Sequence, residues 1–315
     1  MGTVYVYHHN DHDGIVAAGV LYWRLKDVLN YVPSQTIKFI MIDYDKDLNF
    51  DSIDFTKGDC VYFLDYSFTG DHNKKEFKKL LNRRKMSYDV QWIDHHKSSI
   101  GVFDDLNISG IRNTRLCAAA LTYLYFDPML DVYQITSMVP STFFHNSKKI
   151  PLFLKLIDDY DCWKGLYSTT NDFHYGLNIS SPTDPIIQQL LDNKEFSDTN
   201  DKINEIVKKG EMIREYLKFE DKTYHVDMYG FEFTLPEEHG GYKCFCMNRK
   251  GNSIMFGDKI KLYDAVIPFY YINGKWKYSI FTEKDDVNCI KVAKSYGGGG
   301  HLKAAGWVIP ELIFN

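Results

Sequence analysis

The chain has 315 residues, 44% of them hydrophobic and 16% aromatic. That bounds it at about two domains with real cores and excludes a disordered protein. Its 37 basic and 42 acidic residues leave a net charge of −5, with no long Lys/Arg block of the kind that grips duplex nucleic acid through its backbone. A small or short ligand is therefore expected, with no stable duplex partner. The first residues show no basic segment followed by an apolar one, as a signal peptide would, and Val6 stands where a myristoylation signal needs a hydroxyl. No apolar run reaches membrane-spanning length. The six cysteines are scattered, and Cys244-x-Cys246 lacks the spacer of a zinc knuckle. A cytoplasmic protein with reduced thiols and no membrane association is the expectation.

One unit recurs along the first hundred residues. Thr3–Tyr7 is a β-branched and aromatic run that stops at His8-His9-Asn10-Asp11-His12-Asp13-Gly14. Ile37–Ile42 stops at Asp43-Tyr44-Asp45, Cys60–Leu64 at Asp65-Tyr66-Ser67, and Asp89–Ile93 at Asp94-His95-His96. Helical segments are predicted between the first two runs, Ile15–Leu29, and between the last two, Asn73–Lys85. Strand, helix and strand at this spacing predict βαβ units and a mostly parallel sheet.

In such a sheet the ligand site lies beyond the carboxyl ends of the strands. Those ends carry His9, Asp11, Asp13, Asp65, Asp94 and His95 together. A single acid after a strand is ordinary turn chemistry, and Asp43 and Asp45, without a histidine beside them, are read that way. The other three clusters ask for more. Carboxylates brought together without a cation repel and raise one another's pKa, and a divalent metal removes the conflict. Mixed imidazole and carboxylate ligands suit Mn, Fe, Co, Zn or Mg. The ligands exceed what one ion needs, so a pair of ions about 3.5–4 Å apart, clamping a water and a phosphate, is predicted.

Further helices are expected over Thr114–Phe126 and Pro151–Ile157, the second ending at Asp158-Asp159-Tyr160-Asp161. Three acids at the negative pole of a helix are a misfit that points to a positive partner, again a metal. Ser197–Glu220 reads as one charged amphipathic helix with Ile203, Ile206, Val207, Ile213 and Leu217 on one side, a linker. Near the C-terminus, a strand Trp276–Phe281, a helix Val287–Lys294 and Gly297–Gly300 form a βαβ-like unit. The glycine run either presents backbone N–H groups to a phosphate or is a turn before a final strand. His301 after it can bond a phosphate or a base edge.

The motif around His9, Asp11, Asp13 and Gly14, the lone Asp65, Asp94-His95-His96 and the Asp159/Asp161 cluster resemble, in order, the four motifs of the DHH phosphoesterase superfamily. The run Ser295–Gly306 is similar to the glycine-rich signature of the DHHA1 substrate-binding domain. The resemblance implies an α/β fold with a parallel-sheet DHH domain over residues 1–196, a linker helix over 197–222 and a smaller α/β DHHA1 domain over 223–315. It implies that His9 and Asp11 bind one metal, that Asp65 bridges two, and that Asp13, His95 and one acid of the fourth motif bind the second. Asp159 is favoured for that last place, with Asp161 the alternative. Asp94 would orient the neighbouring histidine, and His96 would lie near the substrate phosphate, with Gly298, Gly299, Gly300 and His301 as further substrate contacts. His9, two residues before Asp11, resembles the oligoribonuclease branch; many relatives place the histidine where Tyr7 stands, and His8 and His12 become bystanders. Relatives often carry an arginine near Phe281-Thr282, absent here, which leaves Lys284, Lys303 or Arg249 to grip phosphate.

The implied function is hydrolysis of short oligonucleotides or dinucleotides to nucleoside monophosphates, with two divalent ions, Mn2+ first and Mg2+ or Co2+ as alternatives. Tyr271, Trp276, Tyr278, Tyr296 and Trp307 either stack bases or fill the core. Cyclic dinucleotides or a nucleotide 3′-phosphate are the alternative substrates, ahead of a long single strand or a non-catalytic scaffold. A monomer or homodimer is compatible.

Overall fold

The computed structural model describes residues 2–25, 37–44, 46–51, 53–84, 88–126, 141–180, 199–223 and 229–314. It divides into two compact units, Met1–Glu211 and Met212–Asn315. Asp45 and the expected helix ends at residues 26–29, 85 and 197–198 lie outside the described residues.

The first unit holds the four expected strands, β1 (Val4–His9), β2 (Ile37–Ile42), β3 (Cys60–Leu64) and β4 (Asp89–Ile93). Their order is β2-β1-β3-β4 and every pairing among them is parallel. The alternating pleat sends successive side chains to opposite faces. Val4, Val6, Tyr62, Leu64 and Ile93 enter one core, while Tyr5, Tyr7, Val61, Phe63, Val90 and Trp92 enter another. Both faces are covered, as parallel sheets require. Helix α1 (His12–Trp23) packs on the first face, and α2 (Asp71–Arg84) contributes Phe77, Leu80 and Leu81 to the second.

Four further helices join the first core: α3 (Ala118–Tyr125), α4 (Ser141–Asn146), α5 (Leu152–Asp161) and α6 (Thr170–Ser180). The first of these begins four residues later than the sequence pattern suggests. Buried carboxylates of Asp13 and Asp158 accept the N–H groups of residues 117–119 and fix the start there. Helix α5 runs past the expected Ile157 to Asp161, so the acids lie in its last turns rather than after it. Helix α7 (Thr199–Thr223) crosses the division between the units. Its Ile203, Ile206 and Val207 are buried in the first core, while Ile213 and Leu217 are half-buried.

The second unit is a mixed sheet of β5 (Gly230–Thr234), β6 (Lys243–Asn248), β7 (Ala265–Ile272), β8 (Lys275–Phe281), β9 (Gly299–Gly300) and β10 (Ala304–Ile309), in the order β5-β6-β7-β8-β10-β9. The short helix α8 (Lys259–Leu262) precedes β7, and α9 (Cys289–Ser295) follows β8. The expected βαβ unit is present in split form. Strands β8 and β9 both run antiparallel to β10, hence parallel to each other, with β10 between them. Among the described residues no helix is long and apolar enough to cross a membrane.

Gly14 ties helix α1 to the end of β1. A Cβ there would lie 2.4 Å from the carbonyl oxygen and 2.8 Å from the nitrogen of His9, closer than any side chain allows. In an exposed helix interior, Gly→Ala gains about 1 kcal/mol. Here the sign reverses: Gly14→Ala should cost roughly 1–3 kcal/mol through backbone displacement, read as a lower urea midpoint.

Candidate metal centre

The three strand-end clusters meet at the carboxyl edge of the sheet. His9 closes β1, and Asp11 caps α1 by accepting the Gly14 N–H at 2.9 Å. His9 Nδ1 lies 2.7 Å from Asp11 Oδ2 and 3.6 Å from Asp65 Oδ2. Asp65 follows β3 in a left-handed conformation, φ 57°, which aspartate tolerates better than most residues. Its N–H is held by the carbonyl of Ile93 at 2.9 Å, which aims the side chain across the strand ends.

A second group forms around His95, which is almost fully buried. Its Nε2 lies 3.5 Å from Asp13 Oδ2, 3.3 Å from Asp65 Oδ1 and 3.1 Å from Asp161 Oδ2. Asp13 is fixed from behind by the N–H groups of Ala118 and Ala119, both at 2.7 Å. A helix N-terminus is a natural anchor for a carboxylate. Three ligand sets of appropriate type and spacing share Asp65: His9-Asp11-Asp65, Asp13-Asp65-His95 and Asp65-Asp94-His96.

Both oxygens of Asp65 and Oδ2 of Asp161 are buried without a well-formed hydrogen bond. Burial and the charge of Asp11 push the Asp65 carboxyl well above the ordinary range. Burial, with Asp65 and Asp161 beside it, does the same to Asp13. Burial raises Asp161 too, with His95 partly offsetting and Asp11 adding. Burial pulls His95 down, but the charges of Asp161, Asp13 and Asp94 outweigh it and raise the imidazole. Orphaned carboxylate oxygens beside imidazoles form a donor set that fits a divalent cation.

The fourth cluster resolves differently from the expectation. Asp159, the favoured ligand, turns away from the centre. Its carboxylate accepts the N–H of Leu166 at 2.7 Å, the N–H of Tyr167 at 3.2 Å and the hydroxyl of Thr170, bracing the start of α6. Asp158 is engaged by His145 Nε2 at 2.6 Å, by Lys164 and by the Cys117 N–H. The electrostatic misfit read at this helix end is thus relieved by protein groups at two of the three acids. Asp161 alone faces the centre.

Asp94 also differs in detail. Its Oδ1 accepts the N–H of His95 at 2.9 Å and the ring Nδ1–H of His96 at 2.8 Å, while Oδ2 takes the Ser99 hydroxyl. The imidazole it orients is that of His96, and its hold on His95 is through the backbone. Burial would raise Asp94, but the two histidines and Ser99 lower it. His96 Nδ1 stands 3.7 Å from Asp65 Oδ1. Asp43 serves its turn by accepting the Tyr44 N–H at 2.7 Å, and it also comes within 3.8 Å of His9 Nε2. His8 turns to the carbonyl of His9, and His12 pairs with His174 at 3.0 Å. Ser99, Thr170 and the N-terminus of α3 were not singled out from sequence; a lone hydroxyl or a backbone N–H carries no signal there.

The glycine run is a structural element of the second unit. Gly299 and Gly300 form β9 and pair with Gly306 and Ala305. Gly297, at φ 81°, ends α9, and a Cβ on Gly298 would meet the Gly306 carbonyl at 2.1 Å. Gly297 and Gly299 have open space where a Cβ would lie. The N–H of His301 bonds to the Ala304 carbonyl at 2.6 Å in the turn to β10. Lys284 and Lys303 carry carboxylate partners, Asp264 and Asp285. Tyr278 and Trp307 stack on each other inside the core, so neither is open to a base, whereas Tyr271 is exposed.

Residues 3–143 match the DHH family, N-terminal domain. That match lies within the first unit. Over 336 aligned residues it is 22% identical to Oligoribonuclease NrnB of Bacillus subtilis (strain 168), an alignment covering 98% of this chain and 74% of the relative. Among solved structures it is similar to the DHH domain of a member of the s1p family of ribosomal proteins, with a TM-score of 0.58, 14% identity and coverage of 98% and 82% of the two chains. RecJ in complex with Mn2+ from Thermus thermophilus aligns with a TM-score of 0.48 at 13% identity, over 99% of this chain and 50% of that one.

The two acids of α5 can be told apart. Asp161→Asn should leave the unfolding midpoint of chelator-treated protein unchanged or higher, because it removes a repelling charge, and should abolish the shift that Mn2+ produces. Asp159→Ala should cost roughly 1–3 kcal/mol by orphaning buried donors, and the folded fraction should still respond to Mn2+. Unfolding followed by circular dichroism reads both. The same crowding predicts a pH trend. Carboxyls raised in the folded state penalise folding as pH climbs through their folded values, and raised histidines lose their stabilisation in the same direction. The midpoint of metal-free protein should therefore fall between about pH 5 and 8, and saturating Mn2+ should flatten the slope.

Proposed function

We propose that this protein is a two-metal phosphodiesterase that hydrolyses short oligonucleotides to nucleoside monophosphates. The observation that carries the reading is that His9-Asp11-Asp65 and Asp13-Asp65-His95 are ligand sets meeting at Asp65, whose oxygens are buried without a well-formed hydrogen bond. Asp11, Asp13, Asp65, Asp94 and Asp161 outnumber His9, His95 and His96, so the cluster with its carboxyls ionised is negative even with every imidazole protonated. Two divalent ions offset that charge and suit the ligand types.

On this reading His9, Asp11 and Asp65 hold one ion, and Asp13, Asp65, His95 and Asp161 hold the other. When bound, such ions lower the pKa of a water toward neutrality and neutralise charge on phosphoryl oxygens. Mn2+ is the first choice, with Mg2+ or Co2+ as alternatives. The chain's own contributions are distinct. Asp94, itself bonded by Ser99, locks the His96 ring beside the centre, and the α3 N-terminus keeps Asp13 in place.

The preference for a short oligonucleotide is supported by the likeness to Oligoribonuclease NrnB, by the net charge of −5 and by the absence of a basic block. We read residues 1–196 as the catalytic domain, 197–222 as the linker and 223–315 as a DHHA1 substrate-binding domain. That last assignment rests on the Ser295–Gly306 sequence and on the β8-α9-β9 unit. Gly299 and His301 are its candidate substrate contacts. A cytoplasmic monomer or homodimer acting without a membrane completes the proposal.

With Mn2+ present, purified protein should convert the dinucleotide pApA to AMP, and chelator should abolish the reaction until Mn2+ is restored. His95→Ala should lower kcat/KM at least about 100-fold, the lower bound of a general acid–base or ligand loss. Chromatographic separation of pApA and AMP measures this. No turnover of pApA, together with no effect of His95→Ala on any phosphodiester tested, would overturn the reading.

A further inference from the structure

We propose that Tyr44 is a stacking platform for a nucleobase of the substrate, beside the metal centre. The inference rests on the oligonucleotide reading above and adds where a base lies. Tyr44 follows β2 directly after Asp43, and its ring centroid is 5.1 Å from that of His9 and 6.2 Å from that of His96. It therefore borders both the first ligand set and the histidine assigned to phosphate.

Three contacts fix the residue. Its N–H donates to Asp43 Oδ1 at 2.7 Å, its hydroxyl accepts the Ser67 N–H at 3.0 Å, and its ring stacks on Tyr66 at 4.8 Å and 12°. Tyr66 is fully buried, and its hydroxyl accepts a hydrogen bond from Asn73 Nδ2 at 3.1 Å. A surface tyrosine ordinarily buries its ring and leaves the hydroxyl to water. Tyr44 is turned the other way: the hydroxyl is committed inward while 40% of the residue remains exposed. With one face on Tyr66, the part of the residue left exposed, beside His9 and His96, is what a ligand can reach.

A single exposed aromatic is ordinary on a protein surface. An exposed ring held at three points next to a reaction centre is different, because the entropy of ordering it has already been met on folding. Stacking on such a face accepts any base, since every base has a π-face. The ligand class is thus a base-bearing phosphodiester of any sequence, with affinity for the base separate from affinity for the phosphate.

The test compares the full-length wild type with Tyr44→Leu and Tyr44→Phe, using pApA and two analogues that carry an abasic ribose at one position or the other. For pApA, Tyr44→Leu should raise KM about 5- to 150-fold and lower kcat far less. Tyr44→Phe, which keeps the face and loses only the bond to Ser67, should recover most of the loss. One of the two abasic analogues should show no difference between wild type and Tyr44→Leu. Titration calorimetry of AMP against ribose 5-phosphate, in the presence of Mn2+, gives a readout independent of turnover: wild type should prefer AMP and Tyr44→Leu should not. If Tyr44→Leu lowers kcat at constant KM and keeps the AMP preference, the proposal is overturned and Tyr44 serves only to support the centre. If wild type cleaves pApA and both abasic analogues alike, the platform fails while the oligonucleotide reading stands. If no dinucleotide is cleaved, the functional reading fails, and the calorimetric comparison still decides for or against the stacking face.

Discussion

Mutual repulsion among buried carboxylates sets the terms for the first unit. Asp13, Asp65 and Asp161 all approach one imidazole nitrogen of His95, within 3.5, 3.3 and 3.1 Å. One imidazole cannot compensate three carboxylates gathered around it. Their pKa values rise in response, led by burial, and each such rise is free energy lost from the folded state at neutral pH. A fold keeps an arrangement of this kind when something positive binds it. The repulsion is therefore stored for use by a cation, in the way that strain and unpaired polar groups gather at functional sites.

The surrounding structure holds those charges at fixed distances. Each acid is gripped on its inner side by groups that do not compete for a metal. Asp11 takes the Gly14 N–H, Asp13 takes two N–H groups of α3, and Asp65 is fixed through its own backbone to Ile93. The close approach of Gly14 to His9 keeps the first two acids beside the end of β1. Where an acid must not join the centre, its oxygens are occupied. Asp159 is taken by Leu166, Tyr167 and Thr170, and Asp158 by His145, Lys164 and Cys117. Three neighbouring aspartates on one helix thus acquire separate fates from their partners alone.

Those separate fates mark the limit of what the sequence discloses. Strand positions and the convergence of His9, Asp11, Asp13, Asp65 and His95 were legible, because short β-branched runs ending in acid or histidine map directly onto the carboxyl edge of a parallel sheet. Asp159 and Asp161 could not be separated by type or spacing. They lie two apart on a helix and so point about 200° apart, and which direction faces the sheet depends on how α5 packs. Its prolongation through Asp161 was also hidden, since three acids at a negative helix pole look like a terminus. The partner of Asp94 is hidden for a related reason: the turn after β4 brings the His96 ring back onto the carboxylate, a geometry that adjacency alone does not encode. In the glycine run, the packing demands at Gly298 and Gly300 come from β10, which lies beside them only after the chain has turned at His301.

Tyr44 shows the same limit from the other side. Alone in sequence it is one aromatic among many, between two acids in a turn. Its meaning comes from neighbours far along the chain: Tyr66 beneath it, the Ser67 N–H at its hydroxyl, and His9 and His96 at its rim. All of these sit at the ends of parallel strands, which bring residues 9, 44, 66 and 96 to one edge. The topology that gathers the acids thereby also delivers an aromatic face to them. A centre built only of carboxylates and imidazoles recognises phosphate and nothing of what the phosphate joins. A fixed ring at its border adds recognition of a base without adding charge, so it leaves the balance between the acids and their cation undisturbed.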